Sequence, residues 1–267
     1  MRLFVSSIYI FITFLLIGCG GSSGSSPVKE PPRELEKGYT SSGLEIPINQ
    51  SADEFKVLFF GNSHVGKMPT YVSQLIVNGL PHRSILTQGT PNALYLDERL
   101  NDQASLEALE NEDWTHIIFQ AQKYSQSGAV DYSTHAAKVW VTRAKEKGAT
   151  PILFPEHPQI DDIDEGIRVY ELHDGIAKDE SACVSPIGYV WKKMLTLSPE
   201  TSLYYPDGNH ANEAGHLLSA MVFYEIITGQ SADLLPYISE FDVDMNTQDL
   251  MGQIVSEVLT EMPACEY

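Results

Sequence analysis

The sequence predicts an α/β protein whose parallel sheet lies buried between two layers of helices. Three observations carry this. Short apolar runs alternate with longer, helix-like runs from about residue 55 onward. The short runs are apolar at successive positions, as in Val57-Leu58-Phe59-Phe60, which marks strands covered on both faces. Helix-stopping glycines fall where the alternation needs them, Gly148 after one long run and Gly229 after another. Strands alternating with helices call for parallel pairing around one core.

Val57 to Phe60 is the first strand, and Met68 to Leu80 reads as a helix with Tyr71, Leu75, Ile76 and Gly79 near one face. Arg83 to Thr87 is a second strand, followed by Gln88-Gly89-Thr90-Pro91. Leu94 to Asn111 is helix-prone and acidic, and His116 to Phe119 is a third strand. Ser133 to Lys147 is a helix, Pro151 to Phe154 a fourth strand and Ile163 to Lys178 another helix. Pro186 to Leu197 is a helix with proline at its start and Pro199 beyond its end. Ser202 to Tyr205 is the expected fifth strand. Asn212 to Thr228 and Thr247 to Met262 are the last helices. No internal repeat and no second domain is visible.

The N-terminus has a different character. Met1-Arg2 is followed by an almost wholly apolar run from Leu3 to Ile17, too short to span a membrane comfortably and fit for an export signal. It ends in Leu16-Ile17-Gly18-Cys19, which resembles the lipobox of bacterial lipoproteins. That resemblance implies a signal peptide over 1–18 and a lipid on Cys19. Gly20 after the cysteine resembles lipoproteins sent to an outer membrane, given a Gram-negative host. Residues 19–52, rich in Gly, Ser, Pro and charge, read as a flexible tether. Residues 53–267 then form the folded domain, a size that suits one core.

With 36 Asp and Glu against 17 Lys and Arg, the net charge is −19. Such a surface argues against nucleic acid and against anionic lipid headgroups as partners. The membrane is then met through the anchor only. There are three cysteines. With Cys19 lipidated, Cys183 and Cys265 are left; in an oxidising envelope they can pair, and free thiols are the other reading.

Two motifs carry chemistry. Gly61-Asn62-Ser63-His64 places a serine at the C-terminal end of the first strand, the edge where open α/β sheets hold their sites. Asp207-Gly208-Asn209-His210 places a carboxylate three residues before a histidine, just ahead of a helix. A serine nucleophile needs a base, and the base needs an orienting carboxylate. Taken alone, the second motif is an ordinary turn and helix start; beside the first, it supplies the missing partners. Ser63 is the candidate nucleophile, His210 the base and Asp207 its orienter.

These motifs, with Gly215 and Ala220 down the following helix, resemble blocks I and V of the SGNH/GDSL hydrolase superfamily over about residues 55–229. The resemblance implies a flavodoxin-like, three-layer α/β/α sandwich with a five-stranded parallel sheet. It also implies cleavage of acyl esters, often acetyl groups on carbohydrates, with no cofactor. In that family the oxyanion is held by the nucleophile's own N–H, a block II glycine N–H and a block III asparagine side chain. Ser63 and Gly89 match the first two.

Block III departs from the pattern, reading Ile117-Ile118-Phe119-Gln120-Ala121-Gln122 where Gly-x-Asn-Asp is usual. A glutamine carries the same NH₂ donor on a longer arm. Gln120, and after it Gln122, are the candidates for the third donor; the other reading is that they bond the end of the sheet. Asn62 is assigned to the turn. His64, next to the nucleophile, and His157, after the fourth strand, are candidates for substrate contact, an ordinary loop histidine being the favoured reading of His157. His216 is assigned to packing. No ligand spacing among the eight histidines points to a metal, and no phosphate loop is present.

The sequence thus predicts a lipid-anchored envelope esterase that removes short acyl groups from small-molecule or glycan esters. Alternatives are a lipid-ester hydrolase or lysophospholipase, and a catalytically degenerate carbohydrate-binding surface protein.

Overall fold

The computed structural model describes residues 39–266; the leader 1–18, Cys19 and the tether as far as residue 38 lie outside them. Five strands form one sheet: β1 (Glu54–Phe60), β2 (Ser84–Gly89), β3 (His116–Phe119), β4 (Thr150–Leu153) and β5 (Cys183–Val184). All pairs are parallel and the order is β2-β1-β3-β4-β5. The helices are α1 (Met68–Gly79), α2 (Leu96–Arg99), α3 (Gln103–Glu110), α4 (His135–Glu146), α5 (Glu165–Asp179), α6 (Ile187–Leu197), α7 (Glu213–Thr228) and α8 (Met245–Glu261).

Side chains alternate across a strand, so each apolar run feeds two cores. Val57, Phe59, Ile118 and Ile152 point to one face, where they meet α1, α6, α7 and α8. Leu58, Phe60, Ile117, Phe119 and Leu153 point to the other, against α3, α4 and α5. These side chains are fully buried, each contributing roughly 1.5–3 kcal/mol. The result is the three-layer α/β/α sandwich expected.

Two expected elements differ. The fifth strand is Cys183–Val184, not Ser202 to Tyr205. The latter segment makes a single antiparallel bridge, Tyr204 to Ala211, and serves as the stem of the loop bearing Asp207 and His210. The run from Leu94 to Asn111 is two helices rather than one. Asp102 starts the second by accepting from the backbone N–H of Ser105 at 2.8 Å, and the last residue of the first, Arg99, turns fully inward.

Residues 39–52, read from composition as the end of the tether, lie against the domain. Asn49 Nδ2 donates to Thr115 O and Thr150 Oγ1, both at 3.0 Å, at the N-terminal ends of β3 and β4. Higher up, the Glu180 carboxylate accepts from Tyr39 Oη, from Ser42 N and Oγ, and from Lys145 Nζ. Both charged side chains of the Lys145–Glu180 pair are almost wholly buried. Burial alone would raise the Glu180 pKa, but the bonds from Lys145, Ser42 and Tyr39 outweigh it and bring it from 4.5 down to about 2. This stability is complete above about pH 4.5 and lost as the pH falls toward 2. Glu180→Ala would strand the Lys145 cation, and thermal unfolding is expected to show a loss of about 3–5 kcal/mol. The paired exchange Lys145→Met with Glu180→Leu should lose far less; an equal loss would refute this account.

Cys183 in β5 and Cys265 are joined in a disulfide. No described helix is long and apolar enough to cross a membrane.

Candidate active site

The site is assembled at the C-terminal ends of the strands. β1 delivers the chain to Gly61, where a side chain has no room: a Cβ would lie 2.2 Å from Val65 Cγ2 and 2.6 Å from Gln120 Oε1. Asn62 then closes the turn, its Oδ1 accepting from His64 N at 3.1 Å and its carbonyl from Val65 N at 3.2 Å. This bend lifts Ser63 out of the sheet into solvent.

Across from it, the loop between Tyr204 and Ala211 is shaped by Asp207. Its Oδ1 accepts from the backbone N–H groups of Asn209 and His210, each at 3.0 Å. Gly208 takes φ +67°, a conformation that favours glycine, and its carbonyl accepts from Ile160 N at 2.9 Å. The second oxygen, Oδ2, meets His210 Nδ1 at 2.7 Å. His210 Nε2 lies 2.9 Å from Ser63 Oγ. The three residues singled out by the motifs therefore form one hydrogen-bonded line.

The electrostatics suit the arrangement. The backbone N–H groups of His210 and Asn209, together with the imidazole, hold the Asp207 carboxyl well below the usual carboxylate range. A carboxylate only accepts, so Nδ1 carries the proton and Nε2 presents its lone pair to the serine hydroxyl.

The neighbouring histidines divide. His64 is partly exposed and stacks on His210, centroids 5.0 Å apart and planes 19° apart, so it borders the site. His157, expected at the substrate, lies behind His64 at 5.3 Å and is only 4% exposed. It stacks on Trp191 at 4.1 Å and donates from Nε2 to Asn209 O at 2.9 Å. Burial, reinforced by His64, lowers its pKa to about 3, so it is a neutral packing element that supports the Asp207–His210 loop. His216 is buried as well, which brings its pKa to about 4. Among the described residues no group of His, Cys, Asp or Glu is placed to hold a metal ion.

Of the expected oxyanion donors, the Ser63 N–H is at the turn, and Gly89 ends β2 in register with Phe59. Both glutamines require correction. Gln120 is fully buried; its Oε1 accepts from Asn62 N at 2.9 Å and its Nε2 donates to Glu156 Oε2 at 2.6 Å. Gln122 Nε2 donates to Lys123 O and Ser133 O at 2.8 and 3.0 Å. The Gln120 amide is thus turned to Glu156, and both protons of the Gln122 amide go to carbonyls of the adjoining loops.

Arg99 went unread in the sequence, where it is one basic residue in an acidic run. It is fully buried beneath the turn, and its five N–H donors go to Leu94 O, Pro91 O, Ser105 Oγ, Gly61 O and Asn92 O. No local signal separates such an arginine from a solvated one. A groove of about 300 Å³ between α6 and α8 is lined by none of these residues.

A parallel sheet of this order between two helix layers is a fold that the chain shares with solved structures. No protein-family model matches the chain, and no curated protein does. Solved structures do. A DUF4886 family protein from Bacteroides uniformis aligns over 79% of this chain and 96% of its own, with TM-score 0.65 and 16% identity. A protein from Slackia heliotrinireducens described as a candidate SGNH hydrolase aligns over 64% of this chain and 98% of its own, with TM-score 0.50 and 22% identity.

Proposed function

We propose that this protein is a serine ester hydrolase that removes short acyl groups, acetyl foremost, from carbohydrates. The observation that carries the reading is the line Ser63 Oγ, His210 Nε2 and Nδ1, Asp207 Oδ2, with links of 2.9 and 2.7 Å. In the first half-reaction Ser63 Oγ attacks the ester carbonyl carbon while His210 Nε2 takes its proton. The carbonyl π electrons move to oxygen, for which the N–H groups of Ser63 and Gly89 are the proposed donors. The intermediate collapses as Nε2–H protonates the leaving alcohol, and an acyl group remains on Ser63. Water then attacks this ester by the same route, releasing the acid and restoring the serine.

A polar, open rim supports the carbohydrate reading. Ser63 is exposed, Tyr205 is 42% exposed two residues before Asp207, and Asn209 within the loop is bonded by the Gln159 amide. An exposed aromatic ring and side-chain amides suit a sugar ring better than a long acyl chain. The leader and lipobox support action outside the cytoplasm on a lipid anchor at Cys19, at the outer membrane in a Gram-negative cell.

The test is acyl-chain preference. The soluble form beginning near residue 27 is expected to turn over p-nitrophenyl acetate with kcat/KM at least about 10-fold above that for p-nitrophenyl octanoate, since each misplaced methylene costs about 1–3 kcal/mol. A preference for octanoate would favour the lipid-ester alternative. Absence of turnover, with no labelling of Ser63 by a fluorophosphonate, would favour the binding-protein alternative.

A further inference from the structure

Four sheet-end loops converge on one peptide bond. The Gly61–Asn62 peptide, one peptide unit ahead of the one that carries the Ser63 N–H, is gripped at both ends. Its C=O accepts from Arg99 Nη2 at 2.6 Å and its N–H donates to Gln120 Oε1 at 2.9 Å. Gln120 is itself held from behind, its Nε2 donating to Glu156 Oε2 at 2.6 Å. Arg99 and Gln120 are fully buried.

The arrangement has direction. A guanidinium stands at one end and a carboxylate at the other, and between them the peptide and the carboxamide align head to tail. Each hydrogen bond polarises the next, which strengthens the chain in a low-dielectric interior. A buried guanidinium with no carboxylate bonded directly to it is costly. Asp102 reaches it only through Ser105, whose Oγ donates to Asp102 Oδ2 at 2.7 Å and accepts from Arg99 Nη1 at 2.8 Å. Strain is stored beside the second grip as well. Ala121, next to Gln120, has φ +73°, which costs about 1–2 kcal/mol, and its carbonyl accepts from Leu96 N at 3.0 Å. That bond ties the segment after β3 that bears Gln120 to the helix bearing Arg99.

We propose that Arg99 and Gln120, backed by Glu156, are positioning residues. They clamp the Gly61–Asn62 peptide and thereby set the direction of the Ser63 N–H and Oγ. The proposal rests on the esterase reading above, and it gives Gln120 a different task from the side-chain oxyanion donor that its place in the chain suggests. With that peptide plane fixed from both sides, only φ and ψ of Asn62 separate it from the Ser63 N–H, and the turn bonds from His64 N and Val65 N to Asn62 restrain them. A misplacement of about 1 Å at such a centre costs on the order of 100-fold in rate.

Exchanging the two amide and carboxylate groups separates the tasks. In Gln120→Glu the new side chain still accepts from Asn62 N–H but meets the Glu156 carboxylate. Adding Glu156→Gln restores a donor behind it, while position 120 has no N–H to offer an oxyanion. The clamp predicts that Gln120→Glu lowers kcat for p-nitrophenyl acetate about 100-fold with KM within about 3-fold, and that the double exchange recovers to within about 10-fold of wild type. A double variant as slow as the single one would overturn it. Gln120→Asn gives a second reading should the first pair fold poorly. It keeps the amide donor but draws the accepting oxygen away from Asn62, so the clamp expects kcat to fall at least about 10-fold; unchanged kcat would overturn it. Fluorophosphonate labelling of Ser63 separates the two levels. A wild-type protein that neither labels nor turns over refutes the esterase reading and the proposal with it, whereas an active wild type without recovery refutes the clamp alone.

Discussion

Exchange of Ser63 for alanine is expected to lower kcat for p-nitrophenyl acetate by about 10⁴- to 10⁶-fold and to abolish fluorophosphonate labelling. In the proposed mechanism the hydroxyl is the group that forms the acyl intermediate. There His210 Nε2, at 2.9 Å, would activate it, while Asp207 Oδ2, 2.7 Å from Nδ1, keeps the proton on the far nitrogen. Because the three act as one unit, adding His210→Ala to the serine variant should cost little more than either change alone. Asp207 stays ionised well below neutral pH, so its orienting task persists across ordinary assay conditions. Retention of more than about 1% of turnover by the alanine variant would move the nucleophile elsewhere.

The largest stability effect is expected at the disulfide. Cys183 and Cys265 are 82 positions apart, and opening a loop of that length frees chain entropy in the unfolded state worth about 4–5 kcal/mol. Cys265→Ala should therefore lower the melting temperature by roughly 8–20 °C for a domain of this size. Native context adds to the argument. β5 has only two residues and stands at the edge of the sheet, and Val184 N donates to Ala264 O at 2.7 Å. The bridge holds the C-terminal segment over that edge, covering backbone groups that would otherwise meet solvent or another strand. Differential scanning calorimetry on a form lacking Cys19, with and without reductant, measures the effect. An unmoved transition would show that the backbone pairing alone retains the segment.

Much of the architecture is legible along the chain, for local reasons. The strands at residues 57–60, 116–119 and 151–154 are apolar at successive positions, and the structure places β1, β3 and β4 there within a few residues. Such runs have nowhere to go but the middle layer. Elements whose identity depends on distant partners were read less well. Cys183–Val184 is too short to show any periodicity and is a strand only because β4 lies beside it. Ser202 to Tyr205 has the composition of a strand, yet its neighbour is its own return at Ala211. The acidic run from Leu94 breaks at Arg99 because the side chain is drawn inward by carbonyls of the loop before it and of the β1 turn.

The site follows the same division. Asp207 and His210 share a turn, so their meeting depends on a spacing of three residues and on backbone N–H groups close at hand. Ser63 needs only a strand end and a tight glycine turn. By itself, then, the sequence determined the layered α/β class and the residues that could form a reactive line. Only the tertiary structure decided what surrounds that line. Gln120 reaches Asn62 and Glu156, 58 and 36 positions away, and Arg99 reaches Gly61 across 38. Spacing along the chain specifies which groups are available, whereas a buried amide or guanidinium bonds whatever acceptor the packing brings within about 3 Å.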